Sequence, residues 1–327
     1  MTFHCWRLGP ALAVLAAITV AACGSAGASP ARHGSSSGAG HSAGAPGSPT
    51  RRASRRGRRA TRVHVGVPVD QYPAALTARW QTITTIGDRP AMWIARRQGV
   101  TLVRMDQGVV HLALHAGSVD PGGTGWRYGD AAAGREIRHL ILGFNGGFKF
   151  STVSGGFVSF GHVGVALSAG DGSIVTYGNG TTQIGAWEHG VPAHGVAIAS
   201  VRQNLHLLID HGVPASSVAG CGAACWGVTI GNQPAVARSA LGIRADGQLV
   251  WAAGEGLTVG QLADGMIAAG VQRAVQLDIN PDWVAGYLYV HHPAAPLTPV
   301  PVIPGQYGIY GHLLVPYSRD FFTVLSN

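Results

Sequence analysis

Residues 238–282, RSALGIRADGQLVWAAGEGLTVGQLADGMIAAGVQRAVQLDINPD, constrain the fold more than any other part of this chain. Apolar runs and turn signals alternate there as a strand, a turn, a second strand, a capped helix and a third strand. Thr258 followed by Gln261 forms a capping box, Leu262, Met266 and Ile267 form an apolar face, and Gly270 supplies the C-terminal stop. The third strand ends on Asp278. A buried strand that delivers a carboxylate to a turn is a common way to mount chemistry on a rigid sheet, so an active site is expected here.

Elsewhere short β-rich runs dominate, over residues 92–95, 109–114, 139–144, 174–177, 196–201, 205–209 and 308–315. A second, shorter helix is expected over residues 73–82. The 49 glycines supply many tight turns between these runs. Many strands with few helices predict an α+β domain with a mostly antiparallel or mixed sheet, rather than a doubly wound fold.

That domain is expected to cover residues 63–327. Before it, residues 1–22 read as a secretory leader: a short basic start to Arg7, an apolar run too short to span a bilayer, and small residues before Cys23. The pattern resembles a bacterial lipobox, which implies cleavage before Cys23, a lipid on its sulfur, and an exported, membrane-anchored protein. Residues 23–62 are rich in Gly, Ser, Ala, Pro and Arg and lack acids, which predicts a disordered tether. Residues 1–62 hold nine of the 23 basic residues and none of the 15 acids, leaving 14 against 15 beyond them. The domain is therefore about neutral, and no nucleic-acid partner is expected. The run RRASRRGRR suits anionic head groups or an anionic wall polymer instead.

Two cysteines remain for the domain, Cys221 and Cys225, in CGAAC. In an exported chain they are expected to form a local disulfide. No second cysteine pair or histidine pair has the spacing of a structural zinc site, so no metal and no cofactor is expected. Lipase elbows, zinc-protease helices, phosphate loops and dinucleotide fingerprints are absent.

In LILGFNGGFKF, residues 140–150, Gly146 and Gly147 interrupt a strand, with Asn145 before them and Lys149, the chain's sole lysine, after. Glycines inside a strand admit a close backbone or ligand approach, and Asn145 offers a donor and an acceptor there. These residues read either as a substrate-facing opening or as a β-bulge with a structural asparagine.

NGGF at 145–148, GGF at 155–157, SVRQNLHLLIDHG at 200–212, RSALGI at 238–243, GLTVGQLADGMIAAG at 256–270 and LD at 277–278 follow one another in order. Together they resemble the phosphodiester glycosidase family. The resemblance implies hydrolysis of a sugar-1-phosphodiester at the anomeric carbon, and matches Asn145, Arg238 and Asp278 to the family's polar site positions. Arg238 would then grip the phosphate bidentately, and Asp278 would stabilise an oxocarbenium-like centre or activate water. Glu255 is a second candidate carboxylate. The bland alternative pairs Arg238 with Asp278 as a structural ion pair.

One departure stands out. Where the family runs from its LD pair into a glycine-rich segment, this chain continues Ile279-Asn280-Pro281-Asp282-Trp283. Proline removes a backbone donor from a loop that could cradle phosphate. Asn280, Asp282 and Trp283 then become candidate substrate contacts, Trp283 by stacking on a sugar, or else the domain is a catalytically inactive glycan- or wall-binding lipoprotein.

Overall fold

The computed structural model describes residues 63–65 and 76–327, except 154 and 222. The expected leader, lipid site at Cys23 and tether fall outside these residues. Three sheets make up the domain. The largest has nine strands in the spatial order Val63–Val65, Gln81–Ile86, Arg89–Arg97, Val100–Met105, Leu249–Leu257, Val236–Arg244, Val271–Gln276, Leu207–Asp210 and Val213–Pro214. A five-stranded sheet runs Thr298–Pro301, Gly286–Val290, Leu140–Asn145, Phe321–Ser326, Val110–His115. A six-stranded sheet runs Gly190–Val191, Thr182–Trp187, Gly172–Tyr177, Ile198–Gln203, Phe157–Ser159, His162–Val165. Pairing between these strands is antiparallel except for the short parallel contact of Thr182–Trp187 with Gly190–Val191.

The central strands of the nine-stranded sheet are buried on both faces, and their alternation sorts residues between two cores. Leu249, Trp251 and Ala253 enter a core shared with Leu142, Phe144, Phe322 and Val324 of the five-stranded sheet and Phe157 and Ile174 of the six-stranded one. Val250 and Ala252 face the other way, onto Leu262, Ala263 and Met266 of the helix Val259–Ala268. In the neighbouring strand Ala237 and Leu241 join the first core and Ala240 the second. That parity decides where Arg238 points.

The helix begins as the sequence predicts. Thr258 Oγ1 accepts from the Gln261 amide at 3.1 Å, and Gln261 Oε1 accepts from the Thr258 amide at 2.9 Å. Gly270 follows its end at φ +84°, a left-handed turn that a side chain would strain. With one ten-residue helix among three sheets, the domain is more heavily β than an α+β expectation suggests.

Two elements differ from expectation. No helix runs through residues 76–82: Gln81–Ile86, QTITTI, is a strand, because its β-branched threonines and isoleucines pack on a pleated surface; residues 73–75 of that expected helix lie outside the described residues. Residues 308–315 form no strand either, since Gly308, Gly311, His312 and Leu313 all take positive φ around a 3-10 turn. The strand that belongs beside Leu140–Asn145 is Phe321–Ser326, every residue of it buried.

Candidate functional site

Asp278 lies just beyond the strand Val271–Gln276 and is 3% exposed. Its Oδ1 accepts the amides of Ile279 at 2.7 Å and Asn280 at 2.9 Å, so the carboxylate caps its own turn. Its Oδ2 takes Arg319 Nη2 at 3.3 Å. Burial pushes this carboxyl above the ordinary carboxylate range, opposed by Arg319 and the two turn amides. Arg319 also donates to the Gly147 carbonyl at 2.8 Å and pairs through Nε with Asp120 at 3.1 Å. The Asp120 carboxyl is likewise raised by burial and held back by Arg319. The Arg319 guanidinium lies 4.2 Å from the centroid of Trp283, and Lys149 Nζ lies 4.6 Å from it. Two cations thus lie against the Trp283 ring, the aromatic residue expected to stack on a sugar.

A second buried ion pair abuts the first. Arg202 meets Asp320 through Nε at 2.8 Å and Nη2 at 3.2 Å, and Nη2 also donates to the Phe148 carbonyl at 2.6 Å. This pair explains the two glycines. A Cβ on Gly146 would stand 2.0 Å from Asp320 Oδ2, and one on Gly147 would stand 2.7 Å from Arg202 Nη2. The close approach that the glycines admit is made by these side chains. Asn145 is equally engaged: its Nδ2 donates to the Gly146 carbonyl and to Ser239 Oγ, both at 2.9 Å, and its Oδ1 accepts from Ala285 N at 3.4 Å.

Arg238 leaves its strand on the helix side, opposite Ser239. It is 4% exposed, and donates through Nε to the Leu257 carbonyl at 2.9 Å and through Nη1 to Gln276 Oε1 at 2.9 Å. Its longest contact, to the Pro234 carbonyl, is 3.5 Å. No carboxylate pairs with it among the described residues, and Asp278 pairs with Arg319 instead. Burial lowers its pKa to about 10, which leaves it charged at neutral pH. It lines a hollow of about 570 Å³ together with Thr229, Asn232, Gln233 and the helix start at Thr258, Val259 and Gly260. A guanidinium and the exposed amides of a helix N-terminus both favour an anion.

Glu255 lines a neighbouring hollow of about 470 Å³ with Asn280, Asp282 and Ile279. Burial raises its carboxyl above the ordinary range, and its Oε1 is enclosed without a hydrogen-bond partner. The two hollows share Thr229 and are separated by residues 234–238. Arg238 thus lines one hollow, and Glu255, Asn280 and Asp282 line another that meets it at Thr229. The structure does not bring Arg238 together with Asn145 and Asp278, because adjacent residues of a strand face opposite sides and Asn145 holds Ser239.

The disulfide Cys221–Cys225 is formed, with Cα atoms 5.6 Å apart, directly after the Val218–Gly220 wall of the Arg238 hollow. Sequence reasoning missed Arg319, Asp320, Asp120 and Arg202. Arg202 lies inside a motif already singled out, and the adjacent charges Arg319-Asp320 directly precede an apolar run, which was the available signal. Among the described residues no three of His, Cys, Asp and Glu gather to hold a metal, and no helix is long and apolar enough to cross a membrane.

No family model matches the chain, and no curated protein matches it. Among solved structures it bears a distant likeness to the catalytic domain of zebrafish N-acetylglucosamine-1-phosphodiester alpha-N-acetylglucosaminidase, auto-inhibited by its pro-peptide, with 15% identity over 79% of this chain and 92% of that one and a TM-score of 0.46. A hypothetical protein from Synechocystis is similar at 13% identity over 74% of this chain and 63% of that one, with a TM-score of 0.42.

Proposed function

We propose that the domain hydrolyses the glycosidic C–O bond of a sugar-1-phosphodiester in envelope glycans or glycolipids, outside the membrane to which a lipid on Cys23 and the basic linker hold it. The observation that carries this reading is Arg238: a buried guanidinium without a carboxylate partner, facing a hollow at a helix N-terminus. A phosphate seated there would meet the guanidinium and the amides of the first helical turn. The ordered motifs resembling phosphodiester glycosidases support the same substrate class.

The attached sugar would reach past Thr229 towards Glu255 and Asp282. Glu255, its carboxyl raised by burial, holds a proton further up the pH scale than an exposed glutamate and can donate it to the departing oxygen. The C1–O bond breaks with its electron pair going to the phosphate oxygen. Water then adds to C1 and gives up a proton to the Asp282 carboxylate. Asp278, locked by its own turn and Arg319, positions the loop that carries Asn280 and Asp282 and has no direct role in this scheme.

That locked Asp278 also favours a second reading, a glycan-binding lipoprotein without turnover. Incubating the full-length chain with a panel of sugar-1-phosphodiesters and measuring free reducing sugar separates the two. Hydrolysis that falls at least about 100-fold in Glu255→Gln while binding persists supports the enzyme. Tight binding with no sugar released from any diester overturns it.

A further inference from the structure

We infer that a second groove, lined by Arg127 and Arg135, binds an anionic saccharide chain. Two hollows of about 500 and 530 Å³ share His111, Arg127 and Tyr128 and so adjoin along this groove. It shares no lining residue with the hollows around Arg238 and Glu255.

Its electrostatics are one-sided. Arg127 and Arg135 are exposed and make no ion pair among the described residues. The one acid in the lining, Glu136, is turned inward, where its Oε1 is held by His115 Nε2 at 2.8 Å and by the Thr323 hydroxyl at 2.7 Å. In a domain whose charges otherwise balance, two unpaired guanidinium groups over one concavity create a local preference for anions.

Phe160 is what points to a saccharide rather than a bare anion. It sits at the hairpin tip between Phe157–Ser159 and His162–Val165 with φ +49°, beside Gly161 at φ +79°. Asn, Asp or Gly is favoured at such a position, and an aromatic residue there is strained. Despite this the residue is 49% exposed, so burial does not explain its presence. It lines the groove with Tyr128, and the Arg127 guanidinium lies 4.8 Å from its centroid. An exposed aromatic residue with the Arg127 guanidinium against it, in a lining that also carries Arg135, offers a stacking surface for sugar rings and forks for their carboxylate or phosphate groups. Asn179 also lines the groove; its Oδ1 is occupied by Thr181, which leaves its amide N–H groups for sugar hydroxyls.

Calorimetric titration of the full-length chain tests this with tetragalacturonate, a phosphorylated maltotetraose, neutral maltotetraose and a twelve-nucleotide single-stranded DNA. The basic linker is identical in every variant, so differences between variants report the groove. At least one charged tetrasaccharide should bind about tenfold or more tighter than the neutral one, and that affinity should fall at least about tenfold in Arg127→Gln/Arg135→Gln and about threefold or more in Phe160→Ala. The two variants alter only exposed side chains, so thermal melting should stay close to that of the native chain. Charged-sugar binding unchanged in both variants would assign it to the linker and overturn the inference. DNA binding reduced as strongly as saccharide binding would also overturn it, by showing a general polyanion surface.

Discussion

Replacing Asp320 by asparagine tests how the polar interior is held together. In the native domain Asp320 accepts Arg202 Nε at 2.8 Å, Arg202 Nη2 at 3.2 Å and the Gly147 amide at 3.3 Å, and both partners' side chains are essentially inaccessible to solvent. Asparagine keeps the shape but turns an NH₂ towards a donor and leaves the guanidinium without its counter-charge. Removing one partner of a buried pair destabilises by about 3–5 kcal/mol, since the remaining charge stays desolvated. At about 2–4 °C per kcal/mol for a domain of this size, melting should fall by roughly 6–20 °C. The exposed pair Arg273–Asp210, at 3.0 Å, is the control; Asp210→Asn should move melting by less than about 2 °C, because solvent screens it. The double variant Arg202→Met/Asp320→Leu should recover much of the loss, since no buried charge remains. Differential scanning calorimetry reads all three. A change below about 2 °C for Asp320→Asn, or a double variant as unstable as the single, would refute the argument that an uncompensated charge is the cause.

Gly146→Ala should destabilise by at least about 1–3 kcal/mol in urea titration, because its Cβ would stand 2.0 Å from Asp320 Oδ2 in a packed interior. Thr258→Ala removes one half of the capping box and should lower stability by about 1 kcal/mol, read by the same titration. Glu255 carries a pH signature: burial raises its carboxyl in the folded state, so its stabilising contribution is complete below the unfolded carboxylate range and is lost as pH rises through the raised value. Glu255→Gln should therefore melt increasingly above the native protein as pH rises through that window, and a pH-independent difference would contradict the burial argument. Under the proposed mechanism, sugar release should decline over the same window as the acid loses its proton.

How far the sequence could be read depended on whether the signal was local. The capping box at Thr258, the stop at Gly270 and the strands around Leu249 and Ala274 follow from spacing and backbone preference, which act over a few residues. Cys221 and Cys225 lie only four positions apart, so their local pairing was readable from spacing. The roles of Gly146 and Gly147 were not readable in this way. A glycine pair at the end of a strand announces a close approach but not its partner, which here comes from Asp320 and Arg202, more than fifty residues away. Residues 308–315 are rich in apolar side chains and read as a strand, but positive φ angles bend the backbone there, and the strand forms at Phe321–Ser326.

The amino-acid order alone set the alternation of apolar residues, the turn chemistry and the residue types available for a polar site, because each is written within a turn or a strand. Which charges meet was left to the tertiary structure. Asp278 pairs with Arg319 and not with Arg238, because the strand parity that sends Ser239 towards Asn145 sends Arg238 to the other face of the sheet, and only the assembled sheets bring Arg319, just ahead of the last strand, beside the turn after Leu277.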